Sequence, residues 1–389
     1  MGPPRILLVH NSADIYGASR SLLRFAERLP RNGYLPTLLI PENGPLAEAA
    51  HSLGLPVHFQ PSLRVITRKD FHPWGVARFL SGMPGAVLKT ARWIRRENFC
   101  LVHTNLGTVV SSALSAKLVN IPHIWHIRDW FQEFGILWRP YARYILAFSE
   151  RVVCVSRPIA GQFPPSPKVC VLHNGLDLAE FPPVTEPERV AARKKFGFGP
   201  HEQVVGTVGR IKFVRKGQEY LLHAAHTLVR QGVSLRILLA GGSAPGSEDH
   251  IPRMKALARE LGLEKAVVFA GELSDPRPAY AALDIFVLPS AQPEPFGGVV
   301  LEAMALERPV VATAIGGSSE QVVPEKTGFL IPPADPHALA EKLRTLLTDP
   351  TLRDRMGRAG RERIAKDLCL DRTVEGITAI YRQALKKKS

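Results

Sequence analysis

Short apolar runs that alternate with longer amphipathic stretches restrict the possible folds of this chain more than any other feature. The stretches over 19–29, 218–230 and 252–261 repeat apolar residues at helical spacing. Strand–helix alternation of this kind predicts parallel sheets with helices on both faces. The runs that we interpret as strands are RILLVH, PTLLI, FCLVHTN, PHIWHI, RVVCVS and KVCVLHN in the first half, and QVVGTVG, LRILLAGG, AVVFAG, DIFVLPS, PVVATAIG and TGFLIPP in the second.

The alternation breaks once, in the stretch LDLAEFPPVTEPERVAARKKFG, which is rich in proline and charge. With 389 residues, two domains are the natural expectation. We therefore predict two parallel-sheet α/β domains, over 1–184 and 185–370, and a C-terminal amphipathic helix over 371–389. Ligands of open parallel sheets bind at the carboxyl ends of the strands, so two such domains facing each other would form a ligand cleft.

The composition limits the classes of partner that the chain is expected to bind, but it does not identify one. A formal net charge of +15 favours anionic ligands, such as a phosphorylated compound, an anionic membrane surface or nucleic acid. The basic residues are dispersed, and the sequence has no helix-turn-helix, zinc or RNA-binding signature, which argues against nucleic acid. The four cysteines are scattered without metal-ligand spacing, as expected for thiols in a reducing cytoplasm.

Two cations follow the predicted strand QVVGTVG. Arg210 lies at the end of the strand, and Lys216 opens the next helix beside Gly217. An arginine fork and a lysine point charge suit the oxygens of a diphosphate. Two solvated loop charges remain the structural alternative.

The stretch PEPFGGVVLEA places two glutamates, Glu294 and Glu302, around a glycine pair, with seven residues between them. Gly297 and Gly298 at the start of a helix allow phosphate oxygens to approach backbone N–H groups. Glu302, about one turn further on, can accept hydrogen bonds from a ribose diol. Glu294, in a loop stiffened by prolines, would face a group attached to the diphosphate.

The run PEPFGGVVLEAMA resembles the E-x7-E signature of glycosyltransferase family 4, retaining enzymes of the GT-B fold. The stretches GR and KG, HNGLD, PVVATAIGGSSEQVV and GFLIPP are similar to the same family in the same order. The resemblance implies two Rossmann-like domains, with the donor on the second and the acceptor on the first. It implies transfer of a sugar, of hexosyltransferase type, from a nucleoside diphosphate sugar to a hydroxyl of a glycan, a lipid-linked sugar or a small molecule. Cell-surface polysaccharide or glycolipid biosynthesis is the expected setting.

Carried over by position, the resemblance gives roles to individual residues. Catalytic roles fall to Glu294, His126, Arg210 and Lys216. The donor-binding residues would be Gly17, Arg210, Lys216, Gly271, Glu272, Leu273, Glu294, Phe296, Gly297, Gly298 and Glu302. The sequence departs from the family twice: Lys216 lies six positions after Arg210, where many members have five, and the usual N-terminal glycine pair is YGAS, which keeps only Gly17. For His126, a strand-end histidine satisfied by backbone is an equal alternative.

Basic stretches with interspersed aromatic residues occur in the first domain, LKTARWIRRENF and WRPYARYILAF. Their side chains could lie on an anionic membrane surface, although solvated helix faces are the commoner explanation. We expect a cytoplasmic protein, peripheral at the inner face of the membrane if that surface binds. The residues that define this hypothesis are Trp93, Arg95, Arg96, Trp138, Arg139 and Arg143.

Two other function classes remain open. A nucleotide-sugar epimerase of the same fold would need further acid–base residues, and none can be identified. A nucleic-acid-binding protein rests on net charge alone. No paired-carboxylate DxD motif is present, so neither a metal nor another cofactor is expected. The sequence does not identify the sugar, the base or the acceptor.

Overall fold

The computed structural model describes residues 2–67, 70–243 and 246–387. The chain forms two compact units. Unit 1 comprises Met1–Asn174 with Leu370–Ser389, and unit 2 comprises Gly175–Cys369.

The first unit is built on a seven-stranded parallel sheet in the order β3-β2-β1-β4-β5-β6-β7. Unit 2 has a six-stranded parallel sheet in the order β10-β9-β8-β11-β12-β13. All predicted strands are present, and β3 is the one strand of the described residues that was not predicted. The strands are β1 Arg5–Val9, β2 Leu35–Ile40, β3 Val57–Phe59, β4 Leu101–Asn105, β5 His123–Ile127, β6 Arg151–Cys154, β7 Val169–Val171, β8 Val204–Val208, β9 Arg236–Ala240, β10 Val267–Gly271, β11 Ile285–Leu288, β12 Val310–Thr313 and β13 Gly328–Ile331.

Helices connect successive strands and cover the sheets, so the central strands of each sheet are buried, whereas the edge strands β3 and β7 are partly exposed. In chain order the helices are α1 Gly17–Arg28, α2 Pro45–Ser52, α3 Pro73–Ser81, α4 Met83–Arg96, α5 Ser111–Leu118, α6 Trp138–Ala147, α7 Arg157–Ala160, α8 Glu186–Lys195, α9 Gln218–Arg230, α10 His250–Glu260, α11 Arg277–Ala282, α12 Gly298–Ala305, α13 Ser318–Gln321, α14 Pro336–Thr348, α15 Pro350–Asp367 and α16 Leu370–Lys386.

The units divide at residue 174, ten residues before the boundary that the proline-rich stretch suggested. The reason is that residues 175–181 already bond within unit 2. The N–H of Leu176 donates to the carbonyl of Leu368, and Arg361 donates to the carbonyl of Phe181. The prolines instead precede the capping box of Thr185 and Glu188, which starts α8.

Helix α16 belongs to unit 1 and packs on α1. Its apolar face, including Ile377 and Tyr381, is buried in the same core as Leu22 and Phe25 of α1. The last two residues of the predicted 371–389 helix lie outside the described residues.

In each sheet the strand order reverses once, between β1 and β4 in unit 1 and between β8 and β11 in unit 2. Crevices at the carboxyl ends of such neighbouring strands are the usual ligand sites of this architecture.

Candidate functional site

The loop after β8 carries Arg210 and Lys216 at the reversal point of the unit 2 sheet. Arg210 is exposed two residues after the strand, and Lys216 lies just before α9. Gly217 between Lys216 and α9 has φ +68°, and a Cβ there would lie 1.9 Å from the carbonyl oxygen of Pro289. Glycine is therefore required for this loop to approach the end of β11.

The loop between β11 and α12 is held from two sides. The carbonyl of Arg215 accepts a hydrogen bond from the N–H of Ala291 at 3.1 Å. On the other side, Gly317 donates its N–H to the carbonyl of Glu294 at 2.8 Å. A Cβ on Gly316 would lie 2.2 Å from that same oxygen, so a side chain there would displace the loop. Glu294 thus sits on a backbone fixed by its neighbours.

Glu294 and Lys216 form an ion pair, with Nζ 2.7 Å from Oε1. The hydroxyl of Ser290 donates to the same oxygen at 3.1 Å. Burial alone would raise the pKa of Glu294, but the charge and hydrogen bond of Lys216, the Ser290 hydroxyl and the charge of Arg215 outweigh it and hold the pKa below its usual value. The carboxylate is therefore ionised at neutral pH. The sequence analysis assigned separate roles to these two residues and did not predict their contact.

Glu302 lies on α12 and is 8% exposed. Its Oε2 accepts a hydrogen bond of 2.9 Å from the hydroxyl of Tyr280, which is completely buried. Sequence reasoning did not select Ser290 or Tyr280. Each is a single polar residue beside apolar residues in the sequence, and its hydrogen-bond partner is known only from the folded structure.

The start of α12 is open. Gly297 caps the helix, and its carbonyl accepts a hydrogen bond from Nε2 of Gln321 at 2.8 Å. A Cβ at Gly298 would meet no described heavy atom within 4 Å, so packing within the chain does not require glycine there. The first N–H groups of a helix carry partial positive charge and bind anions. Phe296, just before them, is buried.

Gly271 ends β10, two strands from β8 at the same carboxyl edge, and Glu272 and Leu273 follow it. The carbonyl of Gly271 accepts the N–H of Gly241 at 2.8 Å. Glu272 is exposed, and a Cβ on Gly242 would lie 3.2 Å from the Cβ of Glu272. These three predicted donor-binding residues therefore share an edge with the Lys216 loop.

Gly17, the one predicted donor residue in unit 1 besides His126, is the first residue of α1, with Tyr16 as its N-cap. A Cβ at Gly17 would meet no described heavy atom within 4 Å. The start of this helix is open in the same way as that of α12.

The structure places His126 inside unit 1 and not at the accessible edge of the sheet. Its side chain is completely buried, with its ring 5.4 Å from that of His103 and 6.3 Å from that of Phe25. Burial, with the charge of Arg128 and His103, lowers its pKa well below the usual value. The histidine precedes the end of β5 by one residue, and its ring lies in the core of unit 1, so its catalytic role stays a prediction.

A polar network that the sequence did not predict surrounds Arg128 at the carboxyl ends of β4 and β5. Its guanidinium donates to Oδ1 of Asn105 at 2.7 Å, to the hydroxyl of Ser21 at 3.0 Å and to Oδ1 of Asn174. Burial lowers the pKa of Arg128 to about 9 and raises that of Asp129 to about 6.

The aromatic residues of the predicted membrane surface are used in internal packing. Trp93 stacks on His58 with ring centroids 4.1 Å apart. Trp138 stacks on Phe131 at 4.1 Å, and its Nε1 donates to the carbonyl of Gln162 at 2.7 Å. The arginines of that hypothesis are exposed, namely Arg95, Arg96, Arg139 and Arg143.

Other large apolar side chains of unit 1 are exposed instead. Trp74 is 83% exposed, Leu80 58% and Ile136 92%. The segments that carry them meet where the rings of Phe71 and Phe134 lie 5.1 Å apart.

Across residues 2–67, 70–243 and 246–387, no three His, Cys, Asp or Glu side chains are grouped as a metal site. Within the same residues, each helix is too short or too polar to cross a membrane. The four cysteines are free.

Two family models match the chain in succession. The model described as Glycosyltransferase Family 4 matches residues 15–180, and the model described as Glycosyl transferases group 1 matches residues 188–363.

The sequence is also similar to curated relatives. A D-inositol 3-phosphate glycosyltransferase of Corynebacterium urealyticum is 35% identical over 223 residues, 55% of this chain and 51% of the relative. An enzyme of the same name from Segniliparus rotundus is 29% identical over 338 residues, 82% of this chain and 73% of the relative. The chain spans about half the length of the first of these relatives.

Among solved structures, Anabaena HepE in complex with UDP has a TM-score of 0.82 at 22% identity, over 97% of this chain and 100% of that chain. This likeness confirms the predicted GT-B fold with two Rossmann-like sheets.

Proposed function

Because this chain belongs to family 4 of the glycosyltransferases, we propose that it transfers a glycosyl group from a nucleoside diphosphate sugar to an acceptor hydroxyl, with retention of anomeric configuration. The observation that carries the proposal is the Lys216–Glu294 pair beside the open start of α12, at the reversal point of the unit 2 sheet.

Each group of the donor has a suitable partner in unit 2. Lys216, Arg210 and the N–H groups at Gly298 would bind the diphosphate, whose negative charge grows as the glycosidic bond breaks. Glu294 would accept hydrogen bonds from hydroxyls of the transferred sugar. Glu302 would accept those of the ribose.

The reaction would break the bond between C1 of the sugar and the diphosphate oxygen, and form a bond from C1 to the acceptor oxygen on the same face. The acceptor proton would pass to the departing diphosphate. Catalysis would come from positioning and from stabilisation of the leaving group, without a metal.

An acceptor that carries phosphate, free or lipid-linked, fits a chain with a net charge of +15. We also propose that unit 1 docks on an anionic membrane through Trp74, Leu80 and Ile136. The exposed guanidinium of Arg78 on α3 and those of α4 and α6 would complement lipid phosphates around these apolar side chains.

The test of the reaction is a panel of UDP-, GDP- and ADP-sugars, scored first by thermal shift and then by nucleotide release. At least one donor is expected to stabilise the protein and to release nucleoside diphosphate. Lys216→Met should abolish release, whereas Lys326→Met, which changes an exposed lysine of the same unit, should not. No stabilisation and no release with any donor would refute the proposal.

A further inference from the structure

The hydroxyl of Tyr280 is buried in unit 2, where a polar atom needs a partner. Tyr280 is in α11, and its side chain is completely inaccessible. A buried hydroxyl without a hydrogen bond destabilises a fold. Its position in the core therefore depends on the acceptor that it meets.

That acceptor is the carboxylate of Glu302, which belongs to a different helix. The Tyr280 hydroxyl donates to Oε2 at 2.9 Å across two elements. The neighbours of Glu302 along α12 are apolar and buried, including Leu301 and Ala303. A carboxylate at such a position gains from a donor that compensates for lost water.

The contact also sets the orientation of Glu302. A glutamate side chain has three rotatable bonds, and its terminal torsion is broad. The ring of Tyr280 is fixed by packing, with the ring of Phe286 at 5.7 Å. A hydrogen bond from this rigid ring to one carboxylate oxygen therefore restricts the direction of the whole carboxylate.

We propose that Tyr280 is a positioning residue, which aims the Glu302 carboxylate at the vicinal hydroxyls of the donor ribose. The inference rests on the proposed function, since Glu302 acts on ribose only if the chain binds a nucleotide. It goes further, because it makes recognition of ribose depend on a residue that contacts no substrate.

A structural role for the same hydrogen bond makes a different prediction. If the bond only satisfied the Tyr280 hydroxyl, its loss would destabilise the fold and weaken the binding of all nucleotides equally. If Tyr280 positions Glu302, its loss instead lowers the affinity for ligands that carry the ribose hydroxyls and leaves the affinity for ligands that lack them unchanged.

The experiment compares UDP and GDP, each with its 2′,3′-dideoxy counterpart, by calorimetric titration of the full chain. The wild type is expected to bind the ribose form of its nucleotide about tenfold more tightly than the dideoxy form, as for a charge-assisted hydrogen-bond pair. Tyr280→Phe, which keeps the ring, should reduce this preference to about twofold and leave affinity for the dideoxy form unchanged.

Phe329→Leu is the matched control, because it removes a buried ring from the edge strand β13 of the same unit and leaves the packing of Tyr280 on Phe286 in place. It should lower the melting temperature and keep the preference for ribose. Glu302→Gln should lose the preference as Tyr280→Phe does.

The outcomes separate the two hypotheses. If the wild type binds no nucleoside diphosphate, the proposed function fails, and this inference fails with it. If the wild type prefers ribose and Tyr280→Phe keeps that preference, or loses affinity equally for both forms, only the positioning role is refuted.

Discussion

Acidification from pH 7 to pH 5 is expected to lower the free energy of unfolding of unit 1 by about 5 kcal/mol, because several histidines are buried there in the neutral form. Burial lowers the pKa of His10 to about 4 and those of His103 and His123 to about 3. The pKa of His126 is lowered as well. In the unfolded chain a histidine titrates near its usual pKa of about 6.5.

The sign follows from proton uptake. Below about pH 6.5 the unfolded chain binds protons that the folded chain excludes until about pH 3–4, so stability falls as the pH falls through this window. At pH 5, each of His10, His103 and His123 costs about 2 kcal/mol. Asp129, whose pKa is raised to about 6 by burial, acts in the opposite direction and adds about 1 kcal/mol to the free energy of unfolding on acidification.

Tryptophan fluorescence in urea measures this loss selectively, because all five tryptophans lie before residue 174. With a denaturant slope of about 2–3 kcal/mol per molar, the midpoint should fall by about 2 M between pH 7 and pH 5. Equal midpoints at the two pH values would refute the reasoning.

Two variants localise the effect. In His123→Gln the amide can replace Nε2, which lies 2.8 Å from the Thr104 hydroxyl, without a group that titrates. Its midpoint should fall by about 1 M less than that of the wild type, from the same denaturant slope. His51→Gln, at an exposed site of unit 1, should behave as the wild type.

The donor site, the metal and the membrane give three further tests. Glu294→Ala should keep calorimetric affinity for nucleoside diphosphates and lose transfer, because it removes the sugar-side carboxylate and leaves Lys216; equal loss of both would contradict this placement. Transfer should persist in excess EDTA, since the cations of unit 2 are proposed to stabilise the diphosphate, and a strict need for added manganese or magnesium would overturn that view. Reversing three exposed arginines should weaken co-sedimentation with anionic vesicles at low salt by roughly 1 kcal/mol per residue and leave donor hydrolysis unchanged, whereas a wild type that ignores such vesicles would remove the membrane proposal. These residues are Arg95, Arg96 and Arg143.

The sequence predicted the sheets well because buried parallel strands are continuous apolar runs. It missed β3, Val57–Phe59, because the histidine at its centre interrupts the apolar run that marks the other strands. It placed the unit boundary at the prolines near 184, although the N–H of Leu176 and the carbonyl of Phe181 form hydrogen bonds that attach that segment to unit 2.

The sequence predicted only those features of the site that lie within local motifs. The glycines and charges around Lys216 and Glu294 are adjacent in sequence to strand ends, so their shared edge could be inferred. The contacts of Ser290 and Tyr280 depend on side-chain directions across elements, which no local pattern specifies. His126 lies one residue before the end of β5, and this single position places its ring in the core and not at the open edge. Trp93 looked like a surface aromatic residue in the sequence, but in the structure it stacks on His58.

Titration of the wild type and Lys216→Met with a nucleoside diphosphate and with the corresponding nucleoside tests most directly whether the Lys216 loop and the α12 start form the donor site. The account predicts that the variant binds the diphosphate at least about tenfold more weakly, because a charge-assisted contact is lost, and binds the nucleoside as the wild type does. Equal affinity of both proteins for the diphosphate would contradict it.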